Sequence, residues 1–296
     1  MKKHLLFLFA AFATLVASAQ TKVEIDGIWY NLISKAKQAE VTSSDGTKYS
    51  GSITLPATVT HNGMSYSVTS IGRSAFSNCS SLTDITIPEG VTSIGNQAFL
   101  CCSSLTTITI PEGVTSIGSS AFSDCSGLTS IILPEGVTSI GNYAFSGCIS
   151  LTTITIPEGV TSIGVTAFQN CSSLTDITLP ESVDYIYDNA FANCPELSDV
   201  YCYAESVPRT KADAFNGSLP EYATLHVPAG AINSYKATAP WSSFGNIVAL
   251  TEEEMSIEKS EIKNQKSEII YDLQGHRVTH PTKGIYIIDG KKKAIK

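Results

Sequence analysis

The chain has few charged residues and still fewer basic ones. Of its 296 residues, 16% are charged and 43% are hydrophobic, a composition too apolar for an intrinsically disordered protein. Lysine and arginine number 19 against 27 aspartates and glutamates, which gives a net charge of −8. Because nucleic-acid-binding surfaces need dense lysine and arginine, we expect no nucleic-acid partner.

Beyond residue 19 the sequence lacks long apolar runs, so we expect no transmembrane segment in the mature chain. The apolar run at 5–16 is too short to cross a bilayer. It follows two lysines and precedes the small residues Ala17-Ser18-Ala19. This arrangement predicts a secretory signal peptide over residues 1–19. We therefore expect a secreted protein, located outside the cell or on the outer cell surface, with the periplasm as the alternative.

A repeat of 23 residues runs without insertion from 68 to 205. Isoleucine, phenylalanine, cysteine and leucine each recur at this spacing in six copies, represented in the second copy by Ile94, Phe99, Cys102 and Leu105. Such a period is typical of a solenoid, in which each repeat is one coil. Since one coil cannot bury its own apolar face, stability requires the coils to stack.

Within one coil, the segment around Ile108 and Ile110 alternates between apolar and polar residues, which predicts a short strand with two inward side chains. Pro111 and Gly113 then end the strand and turn the chain. Stacked coils place these strands side by side and parallel, at a spacing of about 4.8 Å. The pattern therefore predicts a coil of one parallel β-sheet of short strands, with turns and short helical turns between them.

The frame I-P-E-G-V-T-S-I-G-x-x-A-F-x-x-C-x-x-L-T-x-I-T resembles the BspA-like leucine-rich repeat. The copy at 87–109 has every fixed position, and the next copy departs only at Ile132, which stands in the last threonine column. The resemblance implies a curved, right-handed solenoid of the leucine-rich-repeat type. It also implies secreted or surface proteins that bind other macromolecules without catalysis.

The segments on either side of the repeats are expected to close the ends of the solenoid, since open ends expose core and strand edges. We expect an N-terminal cap at 20–67 with a first degenerate repeat strand, and degenerate repeats with a C-terminal cap at 206–250, including a short helix near 231–236. Residues 251–296 are predicted to form a charged linker and a short β-type tail, with strands near 269–278 and 284–288. This tail resembles the end of a type IX secretion sorting domain.

Eight cysteines in an exported chain would ordinarily indicate disulfides. Six of them, however, form one repeat column, where stacked coils hold the Cβ atoms about 4.8 Å apart, beyond the usual 3.5–4.5 Å of a disulfide. We therefore expect free thiols in the core, with Cys101 as the most accessible one.

Two columns of outward strand residues are the predicted binding surface, because a polar sheet face suits a protein or a glycoprotein. The alternative interpretation of these columns is sheet stability, since threonine favours strands. Four tyrosines break the repeat near its C-terminal end and predict either an aromatic binding patch or contacts under the cap. The candidate residues are Asp84, Thr107, Ser130, Thr153, Asp176 and Asp199 in one column, Thr86, Thr109, Ile132, Thr155, Thr178 and Tyr201 in the other, and Tyr185, Tyr187 and Tyr203.

A third repeated feature is a glutamate column at the exit of the strands. Stacked carboxylates could collect calcium. No second carboxylate column faces this one, so we favour a solvated edge that keeps the array soluble. The members are Glu89, Glu112, Glu135, Glu158 and Glu181.

Signals for catalysis are lacking. Histidine is absent from 68–205, and the chain has no H-E-x-x-H, no G-x-S-x-G and no phosphate-binding loop. We expect no catalytic residues, no metal and no cofactor. The leading hypothesis is an adhesin-like binding protein that contacts host matrix or cell-surface proteins along its strand face. The alternative is a periplasmic or envelope scaffolding module.

Overall fold

A computed structural model describes residues 20–252 apart from 45 and 47, residue 254, and the backbone of three short strands between 270 and 295. The predicted signal peptide at 1–19 and most of the predicted linker after 251 lie outside the described residues. The described chain is a β-solenoid with a 23-residue period and almost no helix, as the repeat pattern predicts.

Parallel strands from successive coils form the main side of the solenoid. These strands are hydrogen-bonded into three consecutive groups along the chain. Further backbone hydrogen bonds join equivalent residues of neighbouring coils: the Thr129 amide donates to the Thr106 carbonyl, and the Thr152 amide donates to the Thr129 carbonyl. The strands are β4 (Gly51–Thr54), β7 (Leu82–Thr86), β9 (Thr107–Thr109), β10 (Ser130–Ile132), β11 (Thr153–Thr155), β13 (Asp176–Leu179), β15 (Asp199–Cys202), β17 (Thr224–Val227) and β18 (Asn246–Ala249).

A second parallel ladder runs along another side of the coils, where each coil contributes a Ser-Ile or equivalent pair. The isoleucines of this ladder, such as Ile117 and Ile140, are buried and bridge from coil to coil. The repeat pattern shows this column as core but does not single it out as strand, since two residues are too few for an alternation. Its strands are β8 (Ser93–Ile94), β12 (Ser162–Ile163), β14 (Tyr185–Ile186) and β16 (Arg209–Thr210).

The N-terminal segment extends this second ladder into a larger sheet. Strands β1 (Gln20–Ile25), β2 (Ile28–Ile33) and β3 (Gln38–Thr42) form an antiparallel meander, and β3 pairs in parallel with β6 (Met64–Ile71), which forms a hairpin with β5 (Thr58–His61). Asn62 and Gly63 have positive φ in the hairpin turn, the conformation that two-residue hairpins favour. This sheet covers the first coil and removes an open edge.

A stack of phenylalanine rings fills the core along the solenoid axis. Neighbouring rings are nearly parallel, with centroids 5.2–5.4 Å apart. Tyr49 packs on the first ring, and Trp241 and Phe244 close the other end in edge-on contacts with Phe215. The members are Phe76, Phe99, Phe122, Phe145, Phe168, Phe191 and Phe215.

Backbone geometry restricts the residue type at two kinds of turn. At Gly118 a Cβ would lie 2.6 Å from the carbonyl carbon of Gly95 one coil before, so only glycine lets the backbones meet. One turn beyond the phenylalanine holds a residue with positive φ in every coil, a conformation that asparagine, aspartate and glycine tolerate best. That column is Asn78, Cys101, Asp124, Gly147, Asn170 and Asn193.

The C-terminal cap combines strands with a short α-helix, α1 (Ile232–Ala237), near the position expected for a short helix. Two 3₁₀ helices lie at Pro220–Tyr222 and Trp241–Ser243. Further along, β19 (Ile270–Tyr271), β20 (Gly284–Ile288) and β21 (Lys291–Ile295) form an antiparallel sheet. The first two fall within the expected tail strands, and the third was not anticipated because its lysines hide the alternation.

Candidate binding surface

The strand face is the outward surface of the main sheet. The central residue of each of these strands, such as Ile108 or Ile154, is buried, while the residues on either side point outward. This alternation follows from the period of two in a β-strand, which sends successive side chains to opposite faces. The parallel register then aligns equivalent side chains of neighbouring coils into straight columns.

The structure places both predicted columns on this one face and in register. Thr107 lies opposite Ser130, Thr153 opposite Asp176, and Asp176 opposite Asp199. The first eight members are exposed, and those from Asp176 onward are half-buried. They are Asp84, Thr86, Thr107, Thr109, Ser130, Ile132, Thr153 and Thr155. Ile132 is the apolar exception, with 67% of its surface exposed.

Hydroxyl groups orient the carboxylates of the strand face. Thr153 and Thr175 each donate to one carboxylate oxygen of Asp176, at 2.9 Å. Ser198 donates to Asp199 at 2.8 Å, and Asp84 accepts from Ser52 at 3.0 Å. These bonds fix the direction of each carboxylate, so the face presents pre-oriented acceptors rather than freely rotating side chains.

Asp176 and Asp199 bring two like charges to directly opposite positions on β13 and β15. Such a pair destabilises a sheet, whereas the threonine and serine that occupy the same column in central coils do not. This end of the strand face therefore departs from what sheet stability alone would favour.

The columns continue beyond the predicted residues into the degenerate repeats. Thr224 lies opposite Asp199, and His226 lies opposite Tyr201. The Tyr201 and His226 rings stack with centroids 4.3 Å apart. Sequence reasoning missed His226 because its distance from Tyr201 is 25 residues rather than 23, although the flanking L-H-V-P pattern marked a degenerate strand.

His226 is also in contact with two carboxylates. Its Nε2 lies 3.0 Å from Asp199 Oδ1, and its Nδ1 lies 3.3 Å from Glu254 Oε1. The Tyr203 hydroxyl donates to the Glu254 carbonyl at 3.0 Å. Burial, with the nearby Asp199, Glu254 and Asp176 carboxylates, raises the pKa of Tyr201. The neutral phenol is therefore the form present at physiological pH.

The other two predicted tyrosines lie elsewhere. Tyr185 belongs to β14 of the second ladder, and its ring packs against Tyr187 with centroids 4.4 Å apart. The Arg209 guanidinium lies over the Tyr185 ring and pairs with Asp184. Tyr185 and Tyr187 therefore lie by the second ladder, whereas Tyr201 lies in a strand of the main sheet, where its ring stacks on His226 rather than on another of the four tyrosines.

The glutamate column forms a line of carboxylates at the exit of the strands. Partial burial raises the pKa of Glu135, and the carboxylates of Glu158 and Glu112 on the neighbouring coils add to this. Among the described residues, no three or more histidine, cysteine or carboxylate side chains are arranged to hold a metal ion.

All eight cysteines are free thiols, and only Cys101 is not buried. From the second coil on, each column thiol donates to the phenylalanine carbonyl of the previous coil, as Cys102 does to Phe76 at 3.1 Å. Burial raises the pKa of Cys102 to about 12. The pKa of Cys101 is raised as well, by burial and then by Asp124. None of these thiols has the lowered pKa of a reactive nucleophile.

The comparison with protein families decides the identity of the repeat. A model described as the BspA type leucine rich repeat region matches residues 53–138 and 127–235, in six copies and over more than half of the chain. The chain belongs to the BspA-type leucine-rich repeat family. No curated protein matches it. Among the described residues, no helix is long and apolar enough to cross a membrane.

Solved leucine-rich repeat proteins are similar to this family member. A leucine-rich repeat protein from Eubacterium ventriosum is 29% identical to this chain, with a TM-score of 0.53. The match covers 67% of this chain and 50% of the Eubacterium ventriosum chain. One from Bacteroides ovatus is 25% identical, with 77% and 76% covered and a TM-score of 0.49. The Treponema pallidum protein TpLRR is 23% identical, with 82% and 95% covered and a TM-score of 0.48.

Proposed function

We propose that this leucine-rich repeat protein is a non-enzymatic, secreted or cell-surface binding protein that recognises a protein or glycoprotein through its strand face. One observation carries the proposal: two columns of outward side chains lie in register along the main sheet, with their carboxylates oriented by hydroxyl donors. A regular row of fixed polar groups suits many weak contacts to one extended partner surface. The contacts then add through a shared rigid scaffold.

The C-terminal end of the strand face is the expected centre of binding. Tyr201 and His226 supply stacked rings there, whereas the central coils offer hydroxyl groups and Ile132. Tyrosine is enriched at the sites that dominate interface energies, and serine and threonine are not. The cross-strand pair Asp176 and Asp199, which costs the sheet stability, lies beside these rings.

The signal-peptide pattern at 1–19 and the tail at 251–296, which resembles the end of a type IX secretion sorting domain, favour an adhesin-like role. Its partners would be host matrix or cell-surface proteins. Protease treatment of intact cells, with released peptides identified by mass spectrometry, tests the location. Release of peptides from 68–205 is expected, and loss of 251–296 from the mature protein would further support a type IX sorting tail.

The second candidate is a scaffolding module of the periplasm or envelope, favoured by the few aromatic side chains in the central coils of the strand face. Protection of the repeat region until the outer membrane is broken would favour this function over adhesion. Recovery of no protein by the full chain from matrix, mucus or cell-surface extracts would argue against the binding function itself.

A further inference from the structure

The sixth coil departs from the repeat at the second ladder. In the first five coils the chain reads Thr-Ser-Ile-Gly at this ladder, at 69–72, 92–95, 115–118, 138–141 and 161–164. In the sixth coil it reads Asp184-Tyr185-Ile186-Tyr187, so that the buried isoleucine is kept and its three neighbours change. Two aromatic rings and a carboxylate therefore stand where the other coils have small side chains.

The stacking of the coils does not account for Tyr187. Its column holds glycine in the other five coils, and at Gly164 a Cβ would lie 2.7 Å from the carbonyl carbon of Gly141 one coil before. Coil packing alone would therefore place glycine here. The aromatic cluster that closes the core is built instead from Phe215, Trp241 and Phe244. Tyr187 is 39% exposed, so its ring offers surface to the solvent.

The tyrosine cluster, which we define as Asp184, Tyr185, Tyr187 and Arg209, joins two neighbouring coils. The ring centroids of Tyr185 and Tyr187 are 4.4 Å apart, with 40° between the ring planes. Arg209 lies opposite Tyr185 in the ladder, and its guanidinium carbon is 5.2 Å from the Tyr185 ring centroid. The guanidinium pairs with Asp184, and these two side chains are 69% and 65% exposed. The cluster therefore combines aromatic surface with an exposed donor and an exposed acceptor.

These groups match the chemistry of a sugar ring. The face of an aromatic ring is electronegative and attracts weakly positive C–H groups, which a pyranose presents together on one of its faces. The hydroxyl groups around a pyranose both donate and accept hydrogen bonds. A carboxylate only accepts and a guanidinium only donates, so Asp184 and Arg209 together can bind neighbouring hydroxyls. We propose that the tyrosine cluster is a second binding site, separate from the strand face, which binds a pyranose ring of a neutral glycan.

Charge and size both favour this ligand. Asp184 and Arg209 have opposite charges and pair with each other, so the cluster itself is close to neutral. An anionic ligand would also meet the field of the repeat region, which has 13 acids and one base. A cationic ligand would meet the Arg209 guanidinium beside the Tyr185 ring. Since neighbouring coils are about 4.8 Å apart, the cluster covers one or two sugar rings rather than the area of a protein interface.

A glycan array tests this site with the full-length protein. The probes are immobilised neutral oligosaccharides of glucose, galactose, mannose and N-acetylglucosamine, with sialylated and sulfated oligosaccharides on the same array. The wild type is expected to bind at least one neutral oligosaccharide, and the affinity for that one is then measured by titration calorimetry.

The decisive variant is Tyr185→Ser with Tyr187→Gly, which introduces the residues of the other five coils and is therefore expected to fold with an unreduced Tm. It should bind the neutral oligosaccharide at least about tenfold more weakly. Asp184→Thr, which also introduces the repeat residue, should weaken binding about threefold or more through the loss of a charge-assisted hydrogen bond. Tyr187→Phe keeps the ring and should bind within about threefold of the wild type.

The matched control is Tyr222→Ala, which removes a tyrosine of the C-terminal cap that is 82% exposed and should leave the affinity unchanged. Binding by the wild type to no neutral oligosaccharide would overturn the proposal and favour a peptide ligand for the rings. Binding to the sialylated or sulfated probes alone would overturn it too, as would wild-type affinity in the double variant. None of these results depends on the strand face, so the proposed function is tested separately.

Discussion

At the scale of single residues, Cys101 shows how a column position can be held by an unsuitable side chain. Its φ is 59°, and the equivalent residues are asparagine, aspartate or glycine. A left-handed conformation costs on the order of 1–3 kcal/mol for a residue that does not favour it. Cys101 therefore stores strain at a turn that other coils build without it.

Replacing Cys101 should change stability according to backbone preference. Cys101→Asn is expected to raise the free energy of unfolding by about 0.5–1 kcal/mol, since asparagine adopts the left-handed region more readily. Cys101→Val, of similar size but β-branched, should lower it by at least about 1 kcal/mol. Urea unfolding measures both, and equal effects of the two variants would refute the role of φ.

Glu135 gives a prediction that depends on pH. Its pKa is raised in the folded state by burial and by Glu158 and Glu112, so its ionisation opposes folding. The free energy of unfolding of the wild type therefore falls as the pH rises from the pKa of Glu135 in the unfolded chain, about 4.3, through its higher pKa in the folded protein. Glu135→Gln should be more stable above that range, by about 0.2–1 kcal/mol, and not below it.

The matched control for this comparison is Glu196→Gln, an exposed glutamate outside the column. Thermal unfolding at pH 3.5 and pH 7 gives the two differences. An advantage of Glu135→Gln that is the same at both pH values would contradict an origin in carboxylate repulsion.

At the scale of elements, the phenylalanine stack links each coil to the next. Phe145 is fully buried, and its ring centroid lies 5.4 Å from that of Phe122 and 5.3 Å from that of Phe168. Removing the ring leaves a cavity that the rigid backbone ladders on either side cannot close. The array holds together through such nearest-neighbour contacts.

Phe145→Ala is accordingly expected to lower the free energy of unfolding by about 3–5 kcal/mol. Thr155 is an exposed residue of the strand face ten residues after Phe145. Thr155→Ala should therefore change the free energy of unfolding by no more than about 0.5 kcal/mol. Chemical denaturation of both variants measures the contrast. A loss below about 1 kcal/mol for Phe145→Ala would mean that the stack does not couple the coils.

The repeat columns predicted the elements that recur, and failed where the period changes or the signal is short. Strands such as β9 and the burial of Phe99 follow directly from an uninterrupted 23-residue spacing. The second ladder has only two residues per coil, too few for an alternation to be recognised. His226 was missed because two extra residues shift its register, and no local pattern shows that Glu254 reaches it.

At the scale of the whole molecule, the repeat region is strongly acidic. Residues 68–205 contain 13 acids and one base, Arg73. Self-repulsion of this kind destabilises a compact state and is screened by salt, with a Debye length of about 30 Å at 0.01 M that falls to about 3 Å at 1 M. The stacked glutamates concentrate part of this repulsion along one edge.

The Tm should therefore rise by several degrees as sodium chloride increases from about 0.01 to 0.5 M. A triple variant with Glu112, Glu135 and Glu158 changed to glutamine should show a higher Tm at low salt and a smaller rise. Differential scanning calorimetry at fixed pH follows both. A Tm that falls with salt in the wild type would show that favourable ion pairs outweigh the repulsion.

The central claim is that the molecule recognises its partner with the strand face, and paired threonine variants test it most directly. Thr109→Lys with Thr155→Lys changes the strand face, and Thr115→Lys with Thr161→Lys makes the same change at exposed positions six residues further along the chain, beside the second ladder. Binding of each full-length variant to the cell-surface or matrix fraction that retains the wild type is measured by biolayer interferometry. The strand-face variant should bind at least tenfold more weakly, and the other as the wild type does. Equal binding by both, or loss in the second alone, would contradict the claim.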